Sequence, residues 1–376
     1  MKKMKEILEV NVDDRGCGGV FSLVRSVILN KPEGYHMDIA CIMPFSEEKH
    51  VKELNDAGCQ IYFIGIEGQH HVSMKDLEKN LYALLERHHY EYVHVHSDTA
   101  YRMAAFGRAA KRAGVPHIIF HSHATDVDGN YRRVKKILHL RYRGQLKKLG
   151  TRFVACSRLA AQWMYPEIPE DQVTIVNNGV DLKRFRFDPE VRKEERNRLG
   201  LSDALVVGTV GRFSYQKNQE YMIDILSLLV KRRPDAKLLI VGSHDGTDDI
   251  WNMVREKTAA AGLDDRVIFY GTSPHVERLM QAMDVLILPS RFEGLPVVGV
   301  EAQAAGLPCI FSDRITRETK LTDNAEFIGI GPEDAGKWAE EICRMAELPR
   351  MDTYERLKEE RFDLSDTIEA FLNLYV

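Results

Sequence analysis

Glu293 and Glu301 stand eight positions apart, one in Ser290-Arg291-Phe292-Glu293-Gly294-Leu295-Pro296 and the other opening Glu301-Ala302-Gln303-Ala304-Ala305-Gly306. Two carboxylates held near each other in an otherwise apolar stretch can accept hydrogen bonds from several hydroxyls, as sugar recognition demands. Earlier in the chain, Gly211-Arg212-Phe213-Ser214-Tyr215-Gln216-Lys217-Asn218 carries two cations of different shape. Arg212 offers a planar fork and Lys217 a compact charge, a combination that suits a diphosphate. Each motif alone also fits a plainer role: one solvated and one helix-capping glutamate, or a pair of ordinary surface cations.

The elements that must position these residues are legible in the apolar runs around them. Val285-Leu286-Ile287-Leu288-Pro289 reads as a buried strand, and so does the run from Ala204 to Val210. Pro296 suits the first turn of a helix, where a missing N–H costs nothing. Glu293 then lies in the turn at a strand's carboxyl end, and Glu301 within the following helix. From Glu220 to Val230 the apolar residues have helical spacing, which puts Arg212 and Lys217 beside a helix amino end. Backbone N–H groups and the helix dipole favour an anion there. In open α/β sheets the crevice outside the strands' carboxyl ends is where ligands bind. Small residues Gly294, Ala302, Ala304, Ala305 and Gly306 allow backbone and ligand to approach closely.

The two turns together resemble the donor site of the retaining family-4 glycosyltransferases, and the piece from Phe292 to Asp313 most resembles those of bacterial capsule and exopolysaccharide synthesis. In that family an Arg and a Lys of a G-R-x-x-x-x-K-[NG] turn hold the donor diphosphate, and an E-x7-E pair holds the donor sugar and the ribose. The matching positions are Arg212, Lys217, Glu293 and Glu301. Asn178-Gly179-Val180-Asp181, followed by Phe185, is similar to the family's N-G-[VI]-D segment. Gly18-Gly19-Val20 resembles its first glycine loop, although Phe21 stands where many relatives carry an acid. Ser243-His244-Asp245-Gly246 departs from the commoner glycine-rich version.

The resemblance implies the GT-B fold: two Rossmann-like doubly wound α/β domains facing across a cleft. It implies donor contacts from Gly18, Gly19, Gly294, Leu295, Pro296 and Glu301, and catalytic roles for Arg212, Lys217, Glu293 and a histidine. It also implies no cofactor and no metal. The reaction expected is transfer of a hexose, with retention, from a nucleotide diphosphate donor to a glycan or lipid-linked hydroxyl. UDP is favoured over GDP or ADP by likeness to the capsule enzymes.

Strand-like and helix-like segments alternate almost throughout, the mark of parallel sheets covered on both faces. Strands are expected near Ile7–Val12, Met37–Met43, Gln60–Ile64, Tyr92–His96, His117–His121 and Arg152–Ala155, then near Ala204–Val210, Lys237–Val241, Arg266–Tyr270, Val285–Leu288 and Pro308–Phe311. The polar stretch from Asp181 to Arg198 marks a boundary, giving domains of about 1–182 and 183–360. By resemblance, 361–376 crosses back to the first domain.

His94 and His96 alternate along one expected strand, and His121 and His123 along another. Alternation puts each pair on one face, as in a metal site, but no acid or cysteine clearly completes a set. The family has a histidine after this strand that faces the transferred sugar. His123 takes that role here, with His121, one alternation earlier, as the alternative.

At 376 residues, 44% hydrophobic and 29% charged, the chain has the length for two cores and the composition of a soluble globular protein. No apolar run approaches the ~20 residues that span a bilayer. The amino-terminal start is basic, but Glu6 and Glu9 break up the stretch beyond it, against a signal peptide. Six scattered cysteines without a C-x-x-C pair point to a reducing cytoplasm and away from zinc. A net charge of −4 argues against a general nucleic-acid binder.

From Arg132 to Arg152 nine cations and no acid interleave with Leu138, Leu140, Tyr142, Leu146 and Leu149. Such a segment fits a peripheral contact with anionic lipid on the inner membrane face. It fits equally a helix with one core and one solvated face, and the absence of Trp favours the latter. Rival functions are a glycoside hydrolase using the two glutamates, which leaves Arg212 and Lys217 without a role, a nucleotide-sugar epimerase, and a non-catalytic nucleotide-sugar-binding partner in polysaccharide assembly. A Rossmann dehydrogenase lacks its G-x-G-x-x-G after the first strand.

Overall fold

The computed structural model describes residues 4–14, 19–69, 72–244 and 249–376, and among these it forms two parallel β-sheets flanked by helices. Strands β1 (Lys5–Val10), β2 (Tyr35–Cys41), β3 (Ile61–Phe63), β4 (Tyr92–Ser97), β5 (His117–Ser122), β6 (Arg152–Ala155) and β7 (Val173–Ile175) make the first sheet. Its order is β3-β2-β1-β4-β5-β6-β7. The second sheet contains β8 (Val206–Val210), β9 (Lys237–Val241), β10 (Val267–Gly271), β11 (Val285–Leu288), β12 (Cys309–Ser312) and β13 (Ala325–Ile328), ordered β10-β9-β8-β11-β12-β13. Both orders run outward from the first strand and then reverse, which is the doubly wound Rossmann pattern.

The central strands are covered on both faces, so they read as unbroken apolar runs rather than alternating ones. All four residues of β11 are buried, as are all six of β4, the latter including two histidines. Every strand expected from the sequence is present, with ends shifted by at most two residues. Strands β7 and β13 were not expected. Both lie at sheet edges and are three and four residues long, and most of their residues are only half-buried. They therefore lack the apolar run that marks an interior strand.

Two compact units result. One comprises residues 1–127, 131–178 and 365–376, the other 128–130 and 179–364. Ile7, Val27, Met37 and Ile39 pack with Phe371 and Tyr375 in the first core, so the chain's last residues belong to the unit that its first residues begin. Val207, Ile223, Leu226, Leu238, Ile287 and Trp338 build the second core.

Candidate active site

In the second sheet the strand order reverses between β8 and β11. Loops after these two strands necessarily flank a crevice, because one strand's helix goes to one face of the sheet and the other's to the opposite face. Both chemically suggestive motifs sit on these two loops. Gly211–Asn218 follows β8 and leads into the helix Gln219–Arg232, and Pro289–Pro296 follows β11 and leads into the helix Val297–Ala304. Pro296 is the residue before that helix, one position earlier than expected, with φ −69°. Its fixed φ and lack of an N–H still suit the start of a helix.

The loops are bound to each other by side chains. Lys217 Nζ donates to Glu293 Oε1 at 2.7 Å, with only 18% and 7% of the two side chains exposed. Gln216 Nε2 donates to the other carboxylate oxygen at 2.9 Å and to the Phe292 carbonyl at 3.1 Å. Asn218 Nδ2 donates to the Pro289 carbonyl, and the Arg291 amide donates to the Gln216 carbonyl. Arg291 also stacks on Tyr215, donates to its carbonyl at 2.7 Å and pairs with Glu220 at 2.7 Å. A half-buried charge pair with every oxygen served is a stiff arrangement, because breaking either partner strands the other.

Close backbone approach holds the β8 turn in place. A Cβ on Gly242, at the end of β9, would lie 2.0 Å from the Gly211 carbonyl oxygen, so only glycine lets the two strand ends sit together. Gln219 Nε2 donates to the Arg212 carbonyl, while the Arg212 side chain remains exposed. Within the β11 loop, Gly294, Leu295 and Pro296 are buried.

Glu301 lies one helical stretch from Glu293. Burial raises its pKa to about 7, with Glu277 adding to the rise and Arg184 and Lys217 opposing it. Arg184 in turn donates to Glu277 at 2.8 Å. Arg184 lies on the short helix Leu182–Phe185, which Asp181 caps. In the first unit, Gly19 opens the helix Gly19–Asn30, and Gly18 lies outside the described residues, as do Asp245 and Gly246. Phe21 is a core residue, 5% exposed, packed on Phe45 and His50. His121 is fully buried, whereas His123, just past the end of β5, is half-buried. His123 Nε2 lies 2.9 Å from His96 Nδ1, and burial with His96 and His94 nearby holds it well below the usual histidine range.

Arg291, Gln216 and Arg184 had no role in the reading of the sequence, and Asn218 entered it only as the last residue of the cationic turn. Only Arg291 carried a signal that could have found it, a lone cation beside Glu293; the others depend on contacts between distant segments.

Models of known families match both parts of the chain: Glycosyltransferase Family 4 over residues 47–184 and Glycosyl transferases group 1 over residues 191–362. A Bacillus subtilis protein named as a glycosyltransferase, EpsF, is 31% identical over 306 residues, covering 78% of this chain and 76% of its own. The chain belongs to the family-4 glycosyltransferases. The glycosyltransferase is also 30% identical over 251 residues to the Escherichia coli UDP-Gal:alpha-D-GlcNAc-diphosphoundecaprenol alpha-1,3-galactosyltransferase, a match covering 64% of this chain and 62% of that protein. Among solved structures it shares its fold with Anabaena HepE in complex with UDP and glucose, at a TM-score of 0.78 and 16% identity over 98% of both chains. A sucrose-phosphate synthase from Thermosynechococcus elongatus has a TM-score of 0.76 and 19% identity over 99% of this chain and 98% of its own. The fold is therefore GT-B and the protein an enzyme of sugar transfer.

Proposed function

We propose that this glycosyltransferase moves a hexosyl unit, with retention at the anomeric carbon, from a UDP-sugar to a hydroxyl of a lipid-linked or glycan acceptor during capsule or exopolysaccharide assembly. The observation that carries this reading is the Lys217–Glu293 pair, which joins a cationic and an acidic loop at the reversal point of one sheet. The E. coli relative's named substrates, UDP-Gal and a diphosphoundecaprenol-linked sugar, support the donor and acceptor classes, and HepE's bound UDP and glucose support the nucleotide.

Donor-free, the lysine and the carboxylate neutralise each other. When a nucleotide sugar arrives, its β-phosphate competes for Lys217 Nζ. Glu293 then has lone pairs to accept from sugar hydroxyls, and Glu301 from the ribose. As the C1–O bond to the diphosphate breaks, Arg212 and Lys217 oppose the growing negative charge in a water-poor crevice, where fixed charges act most strongly. The acceptor oxygen bonds to C1 on the face the phosphate leaves, and the acceptor proton passes to the departing phosphate oxygen. By the family resemblance, His123 is the histidine assigned to the transferred sugar. A site built around hydroxyl hydrogen bonds rejects deoxy analogues strongly.

A peripheral membrane contact belongs to the same reading. Only His139 and Leu146 of the helix Arg132–Leu149 are buried. Val134, Ile137, Leu138 and Leu140 are 55%, 65%, 38% and 47% exposed, among exposed Arg133, Lys136, Arg141, Lys147 and Lys148. Apolar and cationic side chains exposed together fit an anionic lipid surface better than water alone. No helix among the described residues is long and apolar enough to cross a membrane.

The deciding experiment is a thermal-shift screen of UDP-, GDP- and ADP-sugars, followed by NMR of the product's anomeric centre. A ligand that binds only the native state raises Tm according to its affinity. Stabilisation by a UDP-sugar and a product of unchanged anomeric configuration are expected. Stabilisation by GDP- or ADP-sugars only would remove the UDP assignment, and an inverted product would remove retention.

A further inference from the structure

Four histidines and one glutamate meet inside the first unit, and the sheet register explains why. In the parallel pairing Glu9 on β1 lies opposite His94 on β4, and His96 on β4 lies opposite His121 on β5. Residues paired in this way share a face, and His94 and His96, two apart, share it too. Glu9, His94 and His121 are 0% exposed and His96 1%. Phe371 and Tyr375 from the chain's last turns cover them, with Phe371 about 5 to 6 Å from three of the rings.

Hydrogen bonding fixes which nitrogens carry protons. Tyr375 donates its only hydroxyl proton to Glu9 Oε1 at 2.6 Å. His94 Nδ1, 2.7 Å from the same hydroxyl, must therefore be the donor to it. The bare lone pair of His94 falls on Nε2, which is buried and has no partner among the described residues. His96 Nε2 lies 2.8 Å from Glu9 Oε2 and must carry a proton as well, leaving the lone pair of His96 on Nδ1. Neither nitrogen of His121 has a partner among the described residues. His94 Nε2 and both nitrogens of His121 thus call for a physical reason, since buried polar atoms are almost always paired.

From these positions we infer a metal site: His94, His96 and His121 form a three-imidazole pocket for one borderline divalent cation of the zinc class. One nitrogen of each lies within 4.8 Å of the others. Tetrahedral zinc, with Zn–N near 2.0–2.1 Å, needs ligand nitrogens about 3.4 Å apart, so binding must draw the rings together and turn His94 and His121, now 5.3 Å apart with 5° between their planes, toward one another. Imidazole ligands favour zinc and its neighbours over calcium or magnesium. Glu9 and Tyr375 hold the far nitrogens of His94 and His96, the outer-shell arrangement that orients metal-binding histidines. At His96 Nδ1 the metal replaces the proton donated by His123, 2.9 Å away. The site lies wholly within the first unit and stands or falls independently of the proposed sugar transfer.

The test uses the full chain, stripped with a chelator and then dialysed against zinc, with metal content, Tm and a cobalt-substituted visible spectrum as readouts. One zinc per chain, a Tm that rises with zinc, and the intense visible bands of tetrahedral cobalt are expected. His94→Gln and His121→Gln should each lose the metal and the zinc-dependent rise, whereas the exposed pair His88→Gln/His89→Gln should keep both. No zinc uptake by the parent, the weak spectrum of octahedral cobalt, or zinc retained by both buried-histidine variants would overturn the site. If those variants fail to fold, the cobalt spectrum of the unmodified protein decides alone.

Discussion

At the scale of single residues, mutation can separate the proposed catalytic duty of Lys217 and Glu293 from their structural one. Lys217→Ala should cut turnover on the order of 100-fold or more, the usual effect of removing one preorganised electrostatic contact. It also removes the ammonium partner of a buried Glu293 carboxylate, so stability should fall by about 1–3 kcal/mol. Adding Glu293→Gln to that variant removes the stranded charge and should recover part of the stability without recovering activity. Denaturant unfolding of both variants checks this; a double variant less stable than Lys217→Ala would contradict it. For binding, Glu301→Ala should weaken UDP and UDP-sugar alike, while Glu293→Ala should weaken mainly the sugar-bearing donor. Each lost charged hydrogen bond is worth about 1.5–3 kcal/mol, and calorimetry with equal losses in all four titrations would end that division.

Glu301 also sets a pH dependence. Its carboxyl titrates near 7 when folded, against 4.5 as the ordinary value. Between these, the folded chain keeps a proton that the unfolded chain has lost, so this group's contribution to stability falls as pH rises from 4.5 to about 7 and is level above. Glu301→Gln should flatten that part of the stability profile. The ionised form is the better acceptor for ribose hydroxyls, so UDP affinity should rise as pH passes through about 7. An affinity that does not change across that range would show that Glu301 stays clear of the nucleotide.

Elements matter through the ends they bring together. Gly242 touches no expected ligand, yet its backbone supports the Gly211 turn from behind. Gly242→Ala forces a carbon against a carbonyl oxygen 2.0 Å away, and no side-chain rotation relieves a clash between two backbones. We expect a loss of about 3 kcal/mol in unfolding free energy together with weaker donor binding, because the turn carrying Arg212 must move. Near-parental stability would show that the turn yields. Strands β7 and β13 carry a different lesson at this scale. Each pairs along one edge only, so its sequence need not be apolar on both faces, and the signal that reveals β4 or β11 is absent.

At the scale of the whole molecule, the returning C-terminus is structural. Tyr375 is fully buried, hydrogen-bonds to Glu9 and packs on Tyr92 and Phe371. Tyr375→Ala should cost about 3–5 kcal/mol, as for other buried aromatics, and unfolding at parental denaturant concentration would argue against that role. The basic helix makes a second prediction. The chain should co-sediment with anionic vesicles at low salt and release as the Debye length falls from about 10 Å at 0.1 M to about 3 Å at 1 M. Replacing Lys135, Lys136, Lys147 and Lys148 by Gln should abolish sedimentation and leave donor binding unchanged. No sedimentation by the parent would mean that the helix simply faces water.

Local pattern alone determined the alternation of strands and helices, the restart at Ala204, and the placement of Arg212, Lys217, Glu293 and Glu301 on turns after strands. Periodicity and turn chemistry act over a few residues, so they can be read along the chain. Contacts between segments far apart in sequence cannot. That Lys217 and Glu293, separated by 76 positions, neutralise each other follows from β8 and β11 being neighbours in the sheet. The histidines show the same division: alternation put His94 with His96 and His121 with His123, but no nearby acid completed a set. An acid does lie beside them, Glu9 on β1, which accepts from the His96 imidazole 87 positions later and stands outside the three-imidazole group. Sheet order decides such meetings, because parallel strands joined by helical crossovers place side by side residues that the sequence keeps far apart.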